Sequence, residues 1–480
     1  MTGRGAARRA GAGLVIAAAL AAAGCVTYRP QPIHPAASAA RFEARRLDDA
    51  GLRRFVEQAS GRPVAAWPPA AIDFEQLTLA ALYFSPALDV ARAQLGAAEA
   101  AEVTAGARRN PALAFTPEWV GNPDRGVRPW VLSLVLDVPL RTAGRRAIQI
   151  AQARHFSEAA RLRLGDEAWR VRSALRAGLV ELWRAEAAAE LLRREDGAAR
   201  ERLELVEARL AAGEVGEPEV ELARRNRERV ALTLGLAQQQ RAAALVRVAG
   251  AIGVSTEALA DQKIDFGFLD GLPAAGELGS QRVRSEALLN RPDVLAALAD
   301  YAAAESALQL EVARQYPNVD LGPGYTYDKG SRQWALGVAL PLPLLNRNQG
   351  PIAEAEAHRR EAAARFLAMQ AAAIGAAEQA FAEYRTAVDT VAVARGLLAS
   401  ADATLAAAER RFAAGESDRL RVLDAKVGRD GDALALLEAR AGAQAALGRV
   451  EDAMRRPLAP AAPLPAESEA GPRPAGEDRP

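Results

Sequence analysis

Residues 335–350 read ALGVALPLPLLNRNQG, and the change of pattern along them indicates how the chain is built. It opens as a strand, because large apolar residues alternate with small ones at the period of two that a β-strand shows. The large residues are Trp334, Leu336, Val338, Leu340 and Leu342, and the small ones between them include Ala335, Gly337 and Ala339. We expect the strand to stop at Pro341 and Pro343, before a polar turn at 346–350 and an alanine-rich helix from Ile352. This order is typical of a chain that leaves a membrane barrel and enters water.

Composition restricts the class of protein. The chain has 480 residues and a net charge of +1, so its overall charge does not favour nucleic acid as a partner. Alanine, leucine, arginine and glutamate dominate, which favours long helices over a compact enzyme core. No phosphate-binding loop, metalloprotease helix or nucleophile constellation occurs, and the three histidines, His34, His155 and His358, are far apart. We therefore predict no enzyme, no cofactor and no metal site.

The N-terminal sequence has the features of a targeting signal. Basic residues precede a short apolar core and small residues that end at Cys25, the single cysteine, which is the layout of a secretory signal peptide over 1–24. The run 22–25, AAGC, is similar to a bacterial lipobox, so we predict cleavage before Cys25 and lipid on its sulfur. An uncleaved anchor and an incidental cysteine inside a cleaved signal are the alternatives.

The remaining chain repeats itself. Three prolines recur exactly in register 206 positions later, and the motif AAGE at 211–214 recurs at 413–416. The prolines are Pro86, Pro111 and Pro117, matched by Pro292, Pro317 and Pro323. We predict a lipid-anchored irregular lead-in over 25–72, a first repeat over 73–251, a linker over 252–279, a second repeat over 280–456 and a disordered tail over 457–480.

Each repeat is predicted to contain a helix, two strands and a long helical hairpin. The strands are expected near 112–120, 130–138, 318–328 and 332–342, close to the length of a membrane-spanning strand. Aromatic residues gather near the hairpin turns, where an interfacial girdle belongs: Trp119, Trp130, Tyr325, Tyr327 and Trp334. Two hairpins on a soluble sheet are the alternative, although nothing else in the chain offers strands to pair with them.

The long helices share one seam. Apolar and small residues step by four and three along 185–210, and the same steps recur along 387–412, as in a coiled coil. Each long helix covers about 65 residues, or roughly 100 Å at 1.5 Å per residue. Gly213 and Gly415 are predicted to end these helices, and a shorter helix then returns from each tip.

These features together resemble the TolC-like outer-membrane efflux factor family over the whole mature chain. The motifs that support this resemblance are the lipobox, the residues that lead into strands at Asn110-Pro111 and Pro317-Asn318, the turn at 342–350 and the two Ala-Ala-Gly-Glu tips. The resemblance implies a mainly α fold with a small membrane β part. In it each protomer of a homotrimer gives four strands to a twelve-stranded β-barrel and its helical hairpins to an α-barrel. It also implies that the tips, at Gly213, Glu214, Gly415 and Glu416, meet a periplasmic adaptor protein linked to an inner-membrane pump, of which an RND-type pump is expected.

The resemblance further implies a gate at the periplasmic entrance. Positions six and nine after the second tip glycine hold Arg421 and Asp424, where the family can carry carboxylates. Asp424 fits that pattern and Arg421 departs from it. Because the two are three residues apart on one helix, Arg421 can pair with Asp424 or oppose cation entry. A solvated helix face is the alternative for both residues.

The predicted function is a passive exit duct for small toxic solutes in the outer membrane, lipid-anchored and extending into the periplasm. Type I protein secretion is an alternative for the same duct. A periplasmic adaptor is another alternative, but it should carry one hairpin with lipoyl-like β modules, and the repeated strand pairs argue against it. An envelope-spanning coiled coil would not need the strands. The cargo, whether metal, drug, solvent or peptide, cannot be read from the sequence.

Overall fold

The computed structural model describes residues 26–64, 66–121, 126–260 and 262–458. The predicted signal peptide, the predicted lipid site Cys25 and nearly all of the predicted tail lie outside these residues. The chain forms two compact units, one up to Arg45 and one from Arg46 onward. The described part of the first unit contains one helix, α1 (Pro35–Glu43), with an exposed surface.

The second unit begins with α2 (Ala50–Ser60), which corrects the prediction of an irregular lead-in. Asp49 caps this helix, because its carboxylate accepts a hydrogen bond from the Leu52 backbone N–H at 2.8 Å. Leu52 and Val56 are then buried in the core below the next helix. The lead-in is rich in proline and arginine, so the helical spacing of four between Leu52 and Val56 did not stand out in the sequence.

The first repeat contains α3 (Phe74–Phe84), α4 (Pro86–Gly106), β1 (Ala112–Trp119), β2 (Trp130–Leu140), the long helix α5 (Arg145–Ala211) and the return helix α6 (Glu217–Ile252). Asp73 and Gln76 form a capping box at the start of α3. Residues between the repeats form α7 (Glu257–Ala260), a 3₁₀ turn (Gly267–Leu269) and α8 (Ala275–Leu278). This linker is packed, since Leu259 and Leu269 are each 1 % exposed.

The second repeat contains α9 (Ser280–Leu289), α10 (Pro292–Ala313), β3 (Val319–Asp328), β4 (Ser331–Ala339), the long helix α11 (Gln349–Ala413) and the return helix α12 (Arg419–Met454). The long helices have 67 and 65 residues, close to the predicted length, and both return helices have 36. Each repeat therefore has the predicted order of helix, two strands, long helix and return helix.

The four strands form one antiparallel sheet in the order β1-β2-β3-β4. Strand β4 ends at Ala339, three residues before the predicted end. Ala339 pairs with Asp320, next to the start of β3, and Pro341 has no N–H with which to extend the ladder. The sheet joins the two repeats, because β2 of the first pairs with β3 of the second.

Candidate functional site

One face of the sheet consists of large apolar side chains. Residues that are paired across antiparallel strands lie on the same face, so the registers place these side chains together. The face is formed by Leu113, Phe115, Trp119, Trp130, Leu132, Leu134, Leu321, Tyr325, Trp334, Leu336 and Val338. Its outer strands are open: Leu113, Phe115 and Trp334 are 64 %, 61 % and 83 % exposed. An apolar surface of this extent is a contact surface rather than a water-facing one.

The opposite face of the sheet is small and polar. Glycine, alanine, serine and threonine dominate it, and the Ser133 and Thr326 hydroxyls lie 3.4 Å apart across β2 and β3. Four acidic side chains also lie on this face, and the described strand residues place no lysine or arginine there: Glu118, Asp137, Asp320 and Asp328. The sheet thus separates an apolar face from an acidic, polar one.

Aromatic side chains mark the turn end of both hairpins, as predicted. Trp119 and Trp130 meet edge to face with ring centroids 4.8 Å apart, and Tyr325 and Trp334 lie 4.9 Å apart. The Arg128 guanidinium donates to the Tyr327 hydroxyl at 3.1 Å. Such a belt fits the boundary between hydrocarbon and water.

The opposite ends of the long helices form two tips of the same design. Gly213 and Gly415 have φ angles of +74° and +75°, a conformation in which a β-carbon is unfavourable. The following N–H groups close each helix: Glu214 donates to the Arg209 carbonyl and Glu416 to the Arg411 carbonyl, both at 2.9 Å. The predicted ends of the long helices are confirmed, and all four tip residues are exposed.

Three ion pairs join the first long helix α5 to the start of α12 near these tips. Arg209 bonds Asp418 at 3.0 Å, Arg202 lies 2.7 Å from Asp424, and Glu201 accepts from Arg419 at 2.6 Å. A backbone N–H from Arg421 and the side chain of Arg209 lower the pKa of Asp418 below its ordinary value. The hydrogen bond from Arg419 likewise lowers the pKa of Glu201.

Of the alternatives for Arg421, pairing with Asp424 is not the one seen within the chain. The cation beside Asp424 is Arg202, which comes from the other repeat and was not visible in the local sequence. Arg421 instead donates its backbone N–H to Asp418, the capping residue of α12, at 3.0 Å. The side chain of Arg421 is exposed.

Comparisons with known proteins decide the family. The sequence model described as "Outer membrane efflux protein" matches residues 78–254 and 283–454, which together exceed half of the chain. The two segments correspond to the two repeats. The chain belongs to the outer membrane efflux protein family. It is an outer-membrane channel protein that carries out efflux and extends into the periplasm, as predicted.

Individual relatives agree with this assignment. The chain is 26 % identical, over 61 % of its length and 69 % of the relative's, to the cobalt-zinc-cadmium resistance protein CzcC of Cupriavidus metallidurans. Its fold is similar to that of the outer-membrane channel OprN, with a TM-score of 0.66, 20 % identity and coverage of 89 % of this chain and 98 % of that one. It is also similar to the outer membrane protein VceC of Vibrio cholerae, with a TM-score of 0.64, 22 % identity and coverage of 79 % and 95 %.

A buried polar cluster between the repeats of this efflux protein was not predicted. Arg172 and Arg176 of α5 reach the Glu451 carboxylate of α12 at 3.2 and 3.4 Å, and all three side chains are at most 8 % exposed. Arg176 also donates to Gln444 at 2.9 Å, and the Gln444 amide donates to the Leu269 carbonyl at 2.7 Å. Burial lowers the pKa of Arg176, and the negative charge of Glu451 opposes this effect only in part. The partners are nearly 280 residues apart, so no local sequence signal connects them.

Proposed function

We propose that three copies of the chain close their sheets into one twelve-stranded barrel, with the long helices forming the duct below it. The observation that carries this proposal is the two-faced sheet with an unpaired edge on both β1 and β4. An open edge is not tolerated in lipid, so four strands must pair with further copies. Two copies would give about eight strands, whose side chains fill the interior, whereas three give a lumen.

The surface of α11 supports assembly as well. It is the one helix among the described residues that is long and apolar enough to cross a membrane. Of the apolar 18-residue segment that meets this criterion, 11 % is buried within the chain. At 65 residues it is about 100 Å long, roughly three times the hydrocarbon thickness, and it packs along α12. Neighbouring copies in the duct, rather than lipid, are therefore the proposed cover for this surface.

The exposed tips provide a contact for a periplasmic adaptor, and the adaptor would connect the duct to an inner-membrane pump, in our proposal of the RND type. Gly213, Glu214, Gly415 and Glu416 carry this proposal because they are exposed and rigidly capped. Cysteines beside the tip glycines, at Glu214 or Glu416, should crosslink to the adaptor, whereas a cysteine near Lys329 should label from outside the cell. The reverse accessibility would invert the topology.

The closed entrance is proposed to lie at the same tips. A three-fold ring of Asp424 carboxylates would narrow it, with each carboxylate neutralised by Arg202 of its own chain. Because like charges at short range repel, these counter-charges are needed wherever water is limited. Movement of α12 away from α5 would break the three ion pairs and widen the entrance.

Attachment to outer-membrane lipid at Cys25 is part of the proposal. The small residues before Cys25 support it, and the apolar residues that follow the cysteine, Val26 and Tyr28, are 98 % and 89 % exposed. Substitution of Cys25 by alanine should abolish labelling of the protein by radioactive acyl chains. Unchanged labelling would remove Cys25 as the site.

The cargo class that the lumen favours is cationic. In the proposed barrel the small, polar face of the sheet lines the lumen, and the charged residues that the described strands place on this face are acidic. A field of one sign in a pore concentrates ions of the opposite sign. The name of CzcC, which refers to resistance to cobalt, zinc and cadmium, agrees with this class. Deletion of the gene should sensitise cells to metal cations more than to neutral drugs. A loss confined to one secreted protein would favour type I secretion instead.

A matched pair of substitutions on adjacent residues tests the barrel. Leu134 lies on the apolar face and Ser133 on the polar face of the same strand. Arginine at a lipid-facing position near the midplane costs about 2–4 kcal/mol per copy. We expect Leu134→Arg to prevent recovery of the protein from the outer-membrane fraction, whereas Ser133→Arg inserts and lowers cation conductance in a planar bilayer. Equal recovery of both variants would refute the assignment of the two faces.

A further inference from the structure

The segments that join the sheet to the helices carry charge of one sign. They lie at the end of the strands opposite to the aromatic turns and cover residues 107–111, 141–144, 314–318 and 340–348. With the first two residues of α5 they contain seven arginines and no acidic residue, and we call these seven the basic belt: Arg108, Arg109, Arg141, Arg145, Arg146, Arg314 and Arg347. The turn end of the sheet, at 118–130 and 328–332, contains both acidic and basic residues. The excess of positive charge is therefore confined to one end of the strands.

Three arginines of the basic belt have no carboxylate partner in the described chain. Arg108 and Arg109 precede β1, Arg347 precedes α11, and all three are exposed. Within the part of the chain that the structure describes, none of them forms an ion pair. Asp137 and Asp320, the acidic residues at this end of the strands, lie on the polar face of the sheet. The three guanidiniums are thus available to an anion from outside the chain.

Repulsion within the basic belt also favours an external anion. Arg145, which lies outside the strands at the start of α5, is partly buried. Burial lowers the pKa of Arg145, and the positive charge of Arg314 lowers it further. Glu311 pairs with Arg314 and also accepts a hydrogen bond from Asn348, so its charge is already shared. An anion beside the belt would reduce this repulsion.

The longest of the four joining segments presents leucines to solvent. Leu342, Leu344 and Leu345 are 69 %, 77 % and 100 % exposed. They follow Leu340, which comes directly after β4 and is 47 % exposed. We call residues 342–347 the leucine loop. Apolar surface thus continues from the apolar face of the sheet into the leucine loop and stays uncovered within one copy.

Hydrogen bonds hold the leucine loop in this shape. The Leu344 N–H donates to the Leu342 carbonyl at 2.9 Å, which makes a tight three-residue turn. The Asn346 side chain accepts from the Asn348 N–H at 2.8 Å, and the Asn348 side chain donates to the Glu311 carbonyl of α10 at 2.7 Å. Exposure of the leucines is therefore a property of an ordered loop.

The first repeat has a different residue at the position equivalent to Leu345. Gly144 and Asn348 precede the two long helices with φ angles of +66° and +65°, and they are 204 positions apart. The same offset relates Leu345 to Arg141, whose guanidinium donates to the Gln149 side chain at 2.8 Å. The turn into a long helix therefore does not require an apolar residue at this position.

We propose that the leucine loop and the unpaired arginines Arg108, Arg109 and Arg347 bind anionic phospholipid in the periplasmic leaflet of the outer membrane. Leu344 and Leu345 enter the boundary of the acyl chains, and the guanidiniums hold the phosphates of the headgroups. This inference rests on the proposed barrel, in which β4 of one copy lies beside β1 of the next. That arrangement brings Arg347 of one copy near Arg108 and Arg109 of the next.

Two observations identify lipid as the occupant. The leucine loop continues the apolar face that the proposed barrel turns toward hydrocarbon, and it lies at the end of that face, where headgroups begin. The charge beside the loop is complementary to phosphate, which guanidinium groups bind with two parallel hydrogen bonds. Each basic residue near an anionic membrane surface strengthens binding about fivefold.

Lipid binding to the full-length protein, freed of lipid and kept in a mild detergent, tests the basic belt. In native mass spectrometry we expect phosphatidylglycerol to bind more tightly than phosphatidylcholine with the same acyl chains. Arg347→Gln, and separately Arg108→Gln with Arg109→Gln, should weaken phosphatidylglycerol binding by about fivefold per arginine and leave phosphatidylcholine binding unchanged. Arg332→Gln is the matched control, because Arg332 is exposed at the opposite end of β4 and its loss should change neither.

Tryptophan fluorescence in vesicles tests the leucine loop. The Leu345→Trp variant of the full-length protein is placed in vesicles of phosphatidylethanolamine and phosphatidylglycerol whose acyl chains carry bromine, which quenches tryptophan on contact. The emission added by this substitution should be quenched. Leu367→Trp is the control, because Leu367 is 61 % exposed but lies 18 residues along α11, roughly 27 Å from its start, and its added emission should not be quenched.

The outcomes separate this inference from the proposed function. Equal binding of phosphatidylglycerol by the arginine variants and the unsubstituted protein would overturn recognition of the headgroup. Emission from Leu345→Trp that shifts to the blue without quenching would show that a neighbouring copy, rather than lipid, covers the loop. Either result, from an oligomer that conducts ions, would leave the channel intact. Failure of the unsubstituted protein to insert into the vesicles would overturn the barrel and this inference with it.

Discussion

The two repeats have the same order of elements, yet their long helices are covered to different degrees within one chain. Helix α5 of the first repeat has 21 buried residues, and helix α11 of the second has seven at nearly the same length. The difference arises because α5 lies between α6 and α12, whereas α11 has a return helix on one side only. A repeated sequence pattern therefore specifies the contact surface, while position in the chain decides whether that surface is covered by the same copy.

The predicted seam illustrates this. In the first repeat Ala185, Ala189 and Leu192 are at most 4 % exposed, as a coiled-coil seam requires. In the second repeat the seam is well buried in the middle, at Val391, but Phe412 near the tip is 42 % exposed. The tip of the second hairpin is thus the more open of the two, and the more available to a partner.

The largest effect is expected from removal of the carboxylate of Glu451, which joins the two repeats inside one copy. In the Glu451→Ala variant the Arg172 and Arg176 guanidiniums would be left buried without their carboxylate. The cost is about 3–5 kcal/mol, because an uncompensated buried charge is strongly destabilising. We expect this loss in urea unfolding of the detergent-solubilised protein.

Glu438 supplies the control for this experiment, since it pairs with Arg184 on the same seam but its side chain is 49 % exposed. The Glu438→Ala variant should lose less than about 1 kcal/mol, as is usual for exposed ion pairs. Equal losses of stability in the two variants would show that the buried ion pairs of Glu451 contribute no more than the exposed ion pair of Glu438.

A smaller effect is expected at the tips, where the ion pairs are partly exposed. Loss of the Asp424 carboxylate should raise single-channel conductance and weaken block by multivalent cations. The Arg202→Ala variant should strengthen that block, because Asp424 loses its counter-charge. Each pair contributes up to about 1 kcal/mol, or roughly a fivefold change in an equilibrium.

Two further variants, at Thr404 and Arg421, test whether the effect on cation block is specific to Arg202. Thr404 is the repeat equivalent of Arg202, and Thr404→Ala should leave cation block unchanged. Arg421→Ala should change it less than Arg202→Ala does, because Arg421 is not the partner of Asp424. If none of these substitutions alters conductance or block, the residues belong to a solvated helix face and the gate lies elsewhere.

The smallest effect is the response to pH. The pKa values of Asp418 and Glu201 are lowered from ordinary values of 3.8 and 4.5, so their ion pairs stabilise the contact between α5 and α12 at the tips above those values. This stabilisation is lost as pH falls through the lowered pKa values of the folded protein. Conductance should stay constant from about pH 8 to pH 5 and rise only below about pH 4. A rise near pH 6 would implicate other groups.

The sheet was largely predictable from sequence, because alternation along a strand is a local signal. The apolar face through Trp334, Leu336 and Val338 lies where the pattern placed it. The helix ends at Gly213 and Gly415 were also predictable, since a glycine at positive φ has a local cause. The early end of β4 was not predicted, because it depends on where its partner strand begins.

Contacts between the repeats could not be predicted. Nothing around Arg172 indicates Glu451, and nothing around Asp424 indicates Arg202, because each contact depends on how one hairpin is placed against the other. The local rule of three or four residues suggested Arg421 as the partner of Asp424 instead. A rule for pairs within one helix cannot indicate residues of a neighbouring helix. Here the neighbouring helix α5 supplies the cation, Arg202, that lies beside Asp424.

The native mass of the full-length protein, extracted from outer membranes in a mild detergent, is the most direct test of the proposed assembly. A mass of three chains is expected, because the uncovered surface of α11 and the open edges of β1 and β4 must be covered by other copies. The same preparation should conduct ions in a planar bilayer. A mass of one chain, with the apolar face of the sheet and α11 still uncovered, would contradict it.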